Sequence, residues 1–137
     1  MTDEERASAP ACYCGKIGCI ETFLSGPGFE RDHALRCGTS RSSHDIVRAA
    51  AEGDASALEA LRRYEDRLAR ALAGVINILD PDVVVLGGGM SNLPELAPAV
   101  STRLPRYVFS DTVQTQVVPN RHGDSSGVRG AAWLWPM

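Results

Sequence analysis

Three cysteines and a glutamate crowd one short stretch: Cys12, Cys14 and Cys19 in the run Cys12-Tyr13-Cys14-Gly15-Lys16-Ile17-Gly18-Cys19-Ile20-Glu21. Three soft sulfur donors within eight residues suit a single tetrahedral Zn²⁺ better than a hard, oxygen-preferring cation. A structural zinc closes its shell with four protein ligands, so this stretch lacks one donor. Gly15 and Gly18 fit the same reading, because a backbone wound tightly around a metal needs positive φ and close approach. A disulfide or buried free thiols are the alternative, and compartment weighs against them. The chain opens on the acidic run Met1 to Glu5 rather than on a basic and apolar signal segment, and no stretch approaches membrane-spanning length. A cytoplasmic setting is therefore expected, where clustered thiols stay reduced and more often hold metal. Cys37, in Arg36-Cys37-Gly38-Thr39-Ser40, lacks that clustering and reads as a plain thiol.

Glu21 follows the cysteine knuckle directly, which would fix its backbone and aim its carboxylate at paired hydroxyls. An acid in the first turn of a helix is the plainer explanation, worth about 0.3–1 kcal/mol through the dipole. Spacing alone does not separate the two. Further along, Gly87-Gly88-Gly89 follows the β-branched run Asp82-Val83-Val84-Val85-Leu86. Bare backbone N–H groups at such a turn, with the positive end of a following helix, can border a nucleotide. The triplet is neither a Walker sequence nor GxGxxG, and a merely tight turn fits it equally well. Gly127-Val128-Arg129-Gly130-Ala131 reads as tight helix packing, and His33, His44 and His122 as packing or surface residues.

The elements that must position these groups follow from pattern. Met1 to Ala11 shows no apolar period and reads as a loop. A helical pattern from Ile20 to about Leu24 is interrupted by Ser25-Gly26-Pro27-Gly28, then resumes from Phe29 to Leu35, and a short helix spans Asp45 to Glu52. Asp54 caps a long amphipathic helix whose Leu58, Leu61, Tyr64, Leu68, Leu72, Val75, Ile76 and Leu79 recur every three or four residues. Its pairs Glu59–Arg63 and Asp66–Arg70 read as a solvated face. After Pro81 the run Asp82–Leu86 predicts a strand buried on both faces, as in a parallel sheet. A helix capped by Ser91 or Asn92 is expected to reach about Leu104. Thr115 to Val118 reads as a second strand, and a last helix is capped by Asp124 or Ser125.

With 137 residues, 44% hydrophobic and 23% charged, the chain suits one folding unit. A net charge of −3 offers no basic stripe for phosphates, so nucleic acid is not an expected partner, nor is a membrane.

The run Cys12-Tyr13-Cys14-Gly15-Lys16-Ile17-Gly18-Cys19-Ile20-Glu21-Thr22, followed by Ser25-Gly26, resembles the second signature of the ROK family of sugar kinases and related repressors. The likeness continues through Asn77-Ile78-Leu79-Asp80-Pro81-Asp82 into Leu86-Gly87-Gly88-Gly89-Met90-Ser91. It extends through His122-Gly123-Asp124-Ser125-Ser126-Gly127 to Trp133-Leu134-Trp135-Pro136, where it is most similar to bacterial ROK fructokinases. The resemblance implies an α/β fold of the actin-like ATPase (ribonuclease H-like) type. Residues 1–137 would form its carboxyl-terminal lobe, with 1–11 a loop and 12–21 a zinc and sugar motif.

By the same resemblance, Cys12, Cys14 and Cys19 bind structural Zn²⁺ with a histidine from an upstream Gly-His, which has no match here. Glu21 touches sugar hydroxyls, and Gly87, Gly88 and Gly89 border the nucleotide. The implied reaction is transfer of the γ-phosphoryl of Mg²⁺·ATP to a sugar hydroxyl, fructose giving fructose 6-phosphate, in a homodimer. The family's sugar-activating aspartate and phosphate-binding loop have no counterpart in these residues. No catalytic residue is therefore assigned in this chain, and it is expected to be inactive as a kinase by itself. The competing expectations are the effector domain of a sugar-responsive ROK repressor and a stand-alone metal-binding or dimerisation module.

Overall fold

Thr2 Oγ1 accepts a hydrogen bond from the Glu5 N–H (3.2 Å), while Glu5 Oε2 accepts from the Thr2 N–H (2.8 Å). This reciprocal cap starts helix α1 (Asp3–Ala7), where a loop was expected; the Thr2-x-x-Glu5 spacing was its signal. The computed structural model describes residues 1–123 and 125–135, the side chain of Ser126 excepted. The chain divides into two compact units, Met1–Ala71 and Leu72–Met137.

The first unit is helical. One turn, α2 (Glu21–Leu24), runs into Ser25, whose Oγ accepts from the Gly28 N–H (3.1 Å) and opens α3 (Gly26–Cys37). The expected break at Ser25–Gly28 is thus a single capping residue. Pro27 sits in the first helical turn, where no partner for its absent N–H is needed. Ser42 caps α4 (Ser43–Ala51), and Asp54 Oδ1 accepts from the N–H groups of Ser56 (2.9 Å) and Ala57 (3.1 Å) ahead of α5 (Ala55–Leu79).

Phe29, Ile46 and Tyr64 centre the core of this unit. Phe29 and Tyr64 meet edge to face at 5.3 Å, and the Tyr64 hydroxyl donates to the Leu24 carbonyl (3.0 Å). Burial pushes that phenol up to about 12. His33 packs into the same core, and neither ring nitrogen has a hydrogen-bond partner among the described residues.

The core stripe of α5 differs from the leucine pattern. Ala57, Ala60, Tyr64 and Ala69 are buried, whereas Leu58, Leu61 and Leu68 are half-buried. The small residues let neighbouring backbones come close, and the leucines lie to either side of that seam.

Its charged face is not simply solvated either. Arg63 donates to Asp32 Oδ2 (2.9 and 3.0 Å), and Arg67 bridges Asp32 (2.9 Å) and Glu5 (2.8 Å). Arg70 clamps both Glu5 oxygens (2.7 and 3.0 Å). All five side chains are at most 20% exposed, so this ladder ties α1 and α3 to α5. The expected Glu59–Arg63 and Asp66–Arg70 pairs are present beside it, at 3.7 and 3.3 Å.

In the second unit β1 (Val83–Leu86) pairs in parallel with β2 (Gln116–Pro119), Val84 opposite Val117. Leu86 and Val117 are buried with Leu96, Ala97, Val100 and Leu104. Those last four come from α6 (Leu96–Arg103) and the 3₁₀ turn that follows it.

Three expectations change in this unit. Val83 (46%) and Val85 (61%) are exposed, so among the described residues β1 is covered on one face, where Leu86 is buried; α6 packs against its neighbour β2. The helix expected from Ser91 starts at Leu96; a 3₁₀ turn over Gly89–Asn92 and Pro94 come first. Helix α7 (Ser126–Trp133) exposes Gly127, Gly130, Ala131 and Ala132, and a Cβ on either glycine would meet nothing within 4 Å. Tight packing through that stretch is not realised among the described residues. Ser125 occupies the cap position of α7 without a side-chain cap bond, and Asp124 lies outside the described residues.

Candidate functional site

The cysteine knuckle is a closed backbone loop. Ala11 and Ile17 form an antiparallel bridge, the Cys12 N–H donates to the Lys16 carbonyl (2.8 Å), and the Gly15 N–H donates to the Cys12 carbonyl (3.0 Å). Gly15 (φ +83°) and Gly18 (φ +70°) supply the left-handed residues this path requires.

The three Sγ atoms lie within 4.8 Å of one another, with Cys14 and Cys19 at 3.5 Å. Tetrahedral Zn–S bonds of about 2.3 Å would set sulfurs roughly 3.8 Å apart, so the donor set fits one zinc ion. Among the described residues this is the one convergence of three or more His, Cys, Asp or Glu donors, and it provides three. The Lys16 backbone, then the sulfurs of Cys19 and Cys12, lower the Cys14 thiol below the ordinary cysteine range. The sulfurs of Cys14 and Cys12, with partial burial, push Cys19 up to about 11.

Glu21 opens α2 two residues after Cys19 and is exposed; its carbonyl accepts from the Ser25 N–H (3.0 Å), while its carboxylate makes no hydrogen bond or ion pair among the described residues. Its backbone is held from both sides. Thr22 donates to the Cys19 carbonyl through its N–H (2.9 Å) and its Oγ1 (2.6 Å). Arg31 of α3 donates to the Thr22 carbonyl, one of the unpaired acceptors at the end of this single turn. Gly28 lets α3 approach so closely that a Cβ there would stand 2.4 Å from the Thr22 oxygen.

Sequence reasoning missed Gly28, Arg31 and the α1 anchor. Helix α1 leads into the knuckle, and Glu5 fastens it. Burial pushes the Glu5 carboxyl up, but hydrogen bonds from Arg70, Arg67 and the Thr2 N–H outweigh burial and hold it far below the usual carboxylate range. Cys37 stands apart, half-buried, and joins no cluster. His44 and His122 are exposed.

Gly87, Gly88 and Gly89 belong to the second unit. Gly88 has φ +81°, and its carbonyl accepts from both the Ser91 N–H (3.0 Å) and Ser91 Oγ (2.7 Å). Asn120, just after β2, donates to Ser91 Oγ (2.8 Å) through Nδ2 and to the Leu86 carbonyl (3.0 Å) through its backbone N–H. A Cβ at any of the three glycines would meet nothing within 4 Å, so the turn is open on its outer side. A four-residue 3₁₀ turn follows it, not the helix N-terminus that the dipole argument required.

The ROK family model matches residues 3–137. The chain belongs to the ROK family. An N-acetyl-D-glucosamine kinase of Vibrio parahaemolyticus serotype O3:K6 (strain RIMD 2210633) is 42% identical over 130 residues, covering 95% of this chain and 43% of that protein.

Two solved structures share the fold. The ROK family glucokinase of Streptomyces griseus, in complex with glucose and AMPPNP, superposes with a TM-score of 0.79 at 26% identity, covering 90% of this chain and 46% of that one. A ROK family transcriptional regulator gives 0.71 at 26% identity, covering 90% and 34%. The expected actin-like ATPase relationship is thus reflected in its fold neighbours. The chain spans less than half the length of each of these proteins. The sugar named by the Vibrio relative is N-acetylglucosamine, where the sequence motifs pointed to fructose. Among the described residues no helix is long and apolar enough to cross a membrane.

Proposed function

We propose that this chain is part of an ATP-dependent ROK sugar kinase acting on N-acetylglucosamine. In this reading Cys12, Cys14 and Cys19 hold a structural Zn²⁺, Glu21 accepts hydrogen bonds from sugar hydroxyls, and Gly87–Gly89 border the nucleotide. The observation that carries it is the convergence of three sulfurs within 4.8 Å immediately before the turn that presents Glu21. Zinc would supply rigidity and no step of the chemistry. The knuckle and Thr22 fix the backbone of α2, and the exposed Glu21 carboxylate is the acceptor it presents. Phosphoryl transfer depends mainly on positioning and on charge neutralisation by Mg²⁺, with a carboxylate taking the hydroxyl proton. No residue here is assigned that base, and the chain alone is expected to show no turnover in a coupled ATP assay.

The choice of sugar rests on the 42% identity to a named N-acetyl-D-glucosamine kinase; fructose is the alternative arm of the test. A sugar-sensing repressor is the second reading, favoured by the similarity to a ROK regulator. Amide chemical shifts of the zinc-loaded chain test all three. N-acetylglucosamine is expected to shift residues 20–25, fructose to leave them unmoved, and Mg²⁺·ATP to shift Gly87–Ser91. Glu21→Gln should weaken the sugar response at least about tenfold, the loss of one charge-assisted hydrogen bond. Shifts with fructose alone would overturn the sugar assignment. Sugar shifts with no response to ATP would favour the repressor reading.

A further inference from the structure

The knuckle contains a pair of sulfurs whose geometry suits a second chemistry, competing with metal. We propose that Cys14 and Cys19 form a thiol–disulfide switch that a low-molecular-weight disulfide closes in the metal-free knuckle and that bound zinc shields. The shielding half rests on the metal reading above; the disulfide half does not.

Cys14 Sγ and Cys19 Sγ are 3.5 Å apart, so a bond of about 2.05 Å needs an approach of roughly 1.5 Å. The intervening loop can supply it. Gly15 is its hinge, with φ +83° and nothing within 4 Å of its Cβ position, whereas Gly18 packs on Ala9 and donates to the Pro10 carbonyl (2.9 Å). Cys14 is the exposed member of the trio, while Cys12 and Cys19 are half-buried, so an oxidant from solvent meets Cys14 first.

Cys12 is held back by its own backbone. Its N–H and carbonyl are both engaged, at 2.8 Å to Lys16 and 3.0 Å from Gly15, and the Ala11–Ile17 bridge brackets it. A bridge from Cys12 to Cys14 would also have to close across one intervening residue, a separation at which disulfide geometry is strained.

The chemistry balances with a disulfide RSSR as the oxidant. The Cys14 thiolate attacks one sulfur of RSSR; the S–S bond breaks, and RS⁻ leaves and takes a proton from water. Cys19, having given its proton to solvent, attacks Cys14 Sγ of the mixed disulfide and expels the second RSH. Two protein thiols are oxidised by two electrons, one RSSR is reduced to two RSH, and any zinc departs as Zn²⁺ with its charge unchanged. The result reaches Glu21 through two residues, because both Thr22 donors hold the Cys19 carbonyl from which the α2 turn starts.

The experiment uses the full chain, stripped of metal and incubated anaerobically with oxidised glutathione. Lys16 lies between the two cysteines, so trypsin separates the peptide carrying Cys12 and Cys14 from the one carrying Cys19, and a cross-link joins two peptides. The expected product has lost two hydrogens and links these peptides through Cys14. Cys12→Ser and Cys37→Ser should form the same link, Cys19→Ser should trap a glutathione adduct on Cys14, and Cys14→Ser should abolish the link. A Cys12–Cys14 or Cys12–Cys19 bridge in the wild type, or glutathione adducts alone, would overturn the assignment.

In the second arm the chain is first loaded with one equivalent of zinc, and released metal is followed with a chromogenic chelator. Oxidation should slow at least tenfold, and zinc release should keep pace with disulfide formation. Equal rates with and without zinc would overturn the shielding and the metal reading with it, leaving the disulfide to be judged by the first arm.

Discussion

The cysteine knuckle and the glycine turn both reverse the chain on glycines with positive φ, yet they are secured in different ways. Around the knuckle, α1, α2, α3 and α5 are joined by a buried ladder of arginines and carboxylates and by backbone carbonyls taken up by Thr22 and Arg31. The glycine turn is tied to β2 through Ser91 and Asn120, at the end of a strand that is covered on one face among the described residues. The first arrangement presents Glu21 on a backbone fixed within its own unit. The second is an open rim beside exposed valines. A site of the first kind keeps its shape in isolation, whereas one of the second kind depends on whatever covers its sheet.

That contrast can be broken by substitution. The largest effect is expected at Leu86, the buried end of β1: Leu86→Ala should cost about 2–5 kcal/mol, while Val85→Thr, one residue earlier on the bare face, should stay within about 0.5 kcal/mol. Denaturant melts of the pair decide whether β1 has one covered face or two, since similar losses would mean that both are covered.

Next comes Gly28→Ala, whose added methyl would collide with the Thr22 carbonyl. A loss of about 1–3 kcal/mol is expected, with altered amide shifts at residues 20–25. Unchanged shifts would remove Gly28 from the support of Glu21.

Glu5→Gln should cost about 1–3 kcal/mol, because Arg67 and Arg70 are left facing a neutral group in a mostly buried setting. The pH dependence has a definite sign. The folded carboxyl is held below its ordinary value of 4.5, so the unfolded chain binds more protons in that window. The contribution is complete above about pH 4.5 and declines as pH falls toward the folded value, and Glu5→Gln should flatten that part of the stability profile. Parallel profiles for the two proteins would refute the anchor.

Asn120→Ala should cost about 0.5–1.5 kcal/mol, with faster amide exchange at Gly88–Ser91 and none at the knuckle. The smallest effect belongs to Glu59→Gln, about 0.2–0.5 kcal/mol, because Glu59 is half exposed and 3.7 Å from Arg63.

What could be read from the sequence was what is local in the chain. The cysteine trio, Asp54 as a cap, the long helix to Leu79 and the strand at Val83–Leu86 all follow from spacing over a few residues. What escaped depends on partners far away in sequence. Glu5 meets Arg67 and Arg70 across more than sixty residues, so the charges of α5 looked like a solvated face until α1 lay against them. The run of valines looked buried on both sides because hydrophobicity records what a strand can bury and not which layers stand beside it. Alanines carry little hydrophobic signal, so the true seam of α5 was hidden beneath its leucines. Among the site residues, Gly28 and Arg31 had no motif to announce them, because their roles exist only where α3 touches the turn of Glu21.

Zinc X-ray absorption on the metal-loaded chain tests the central claim most directly. The account predicts one bound ion with three sulfur neighbours at about 2.3 Å, reduced to two in Cys12→Ser. A shell of oxygen and nitrogen alone, or no retained zinc, would contradict it.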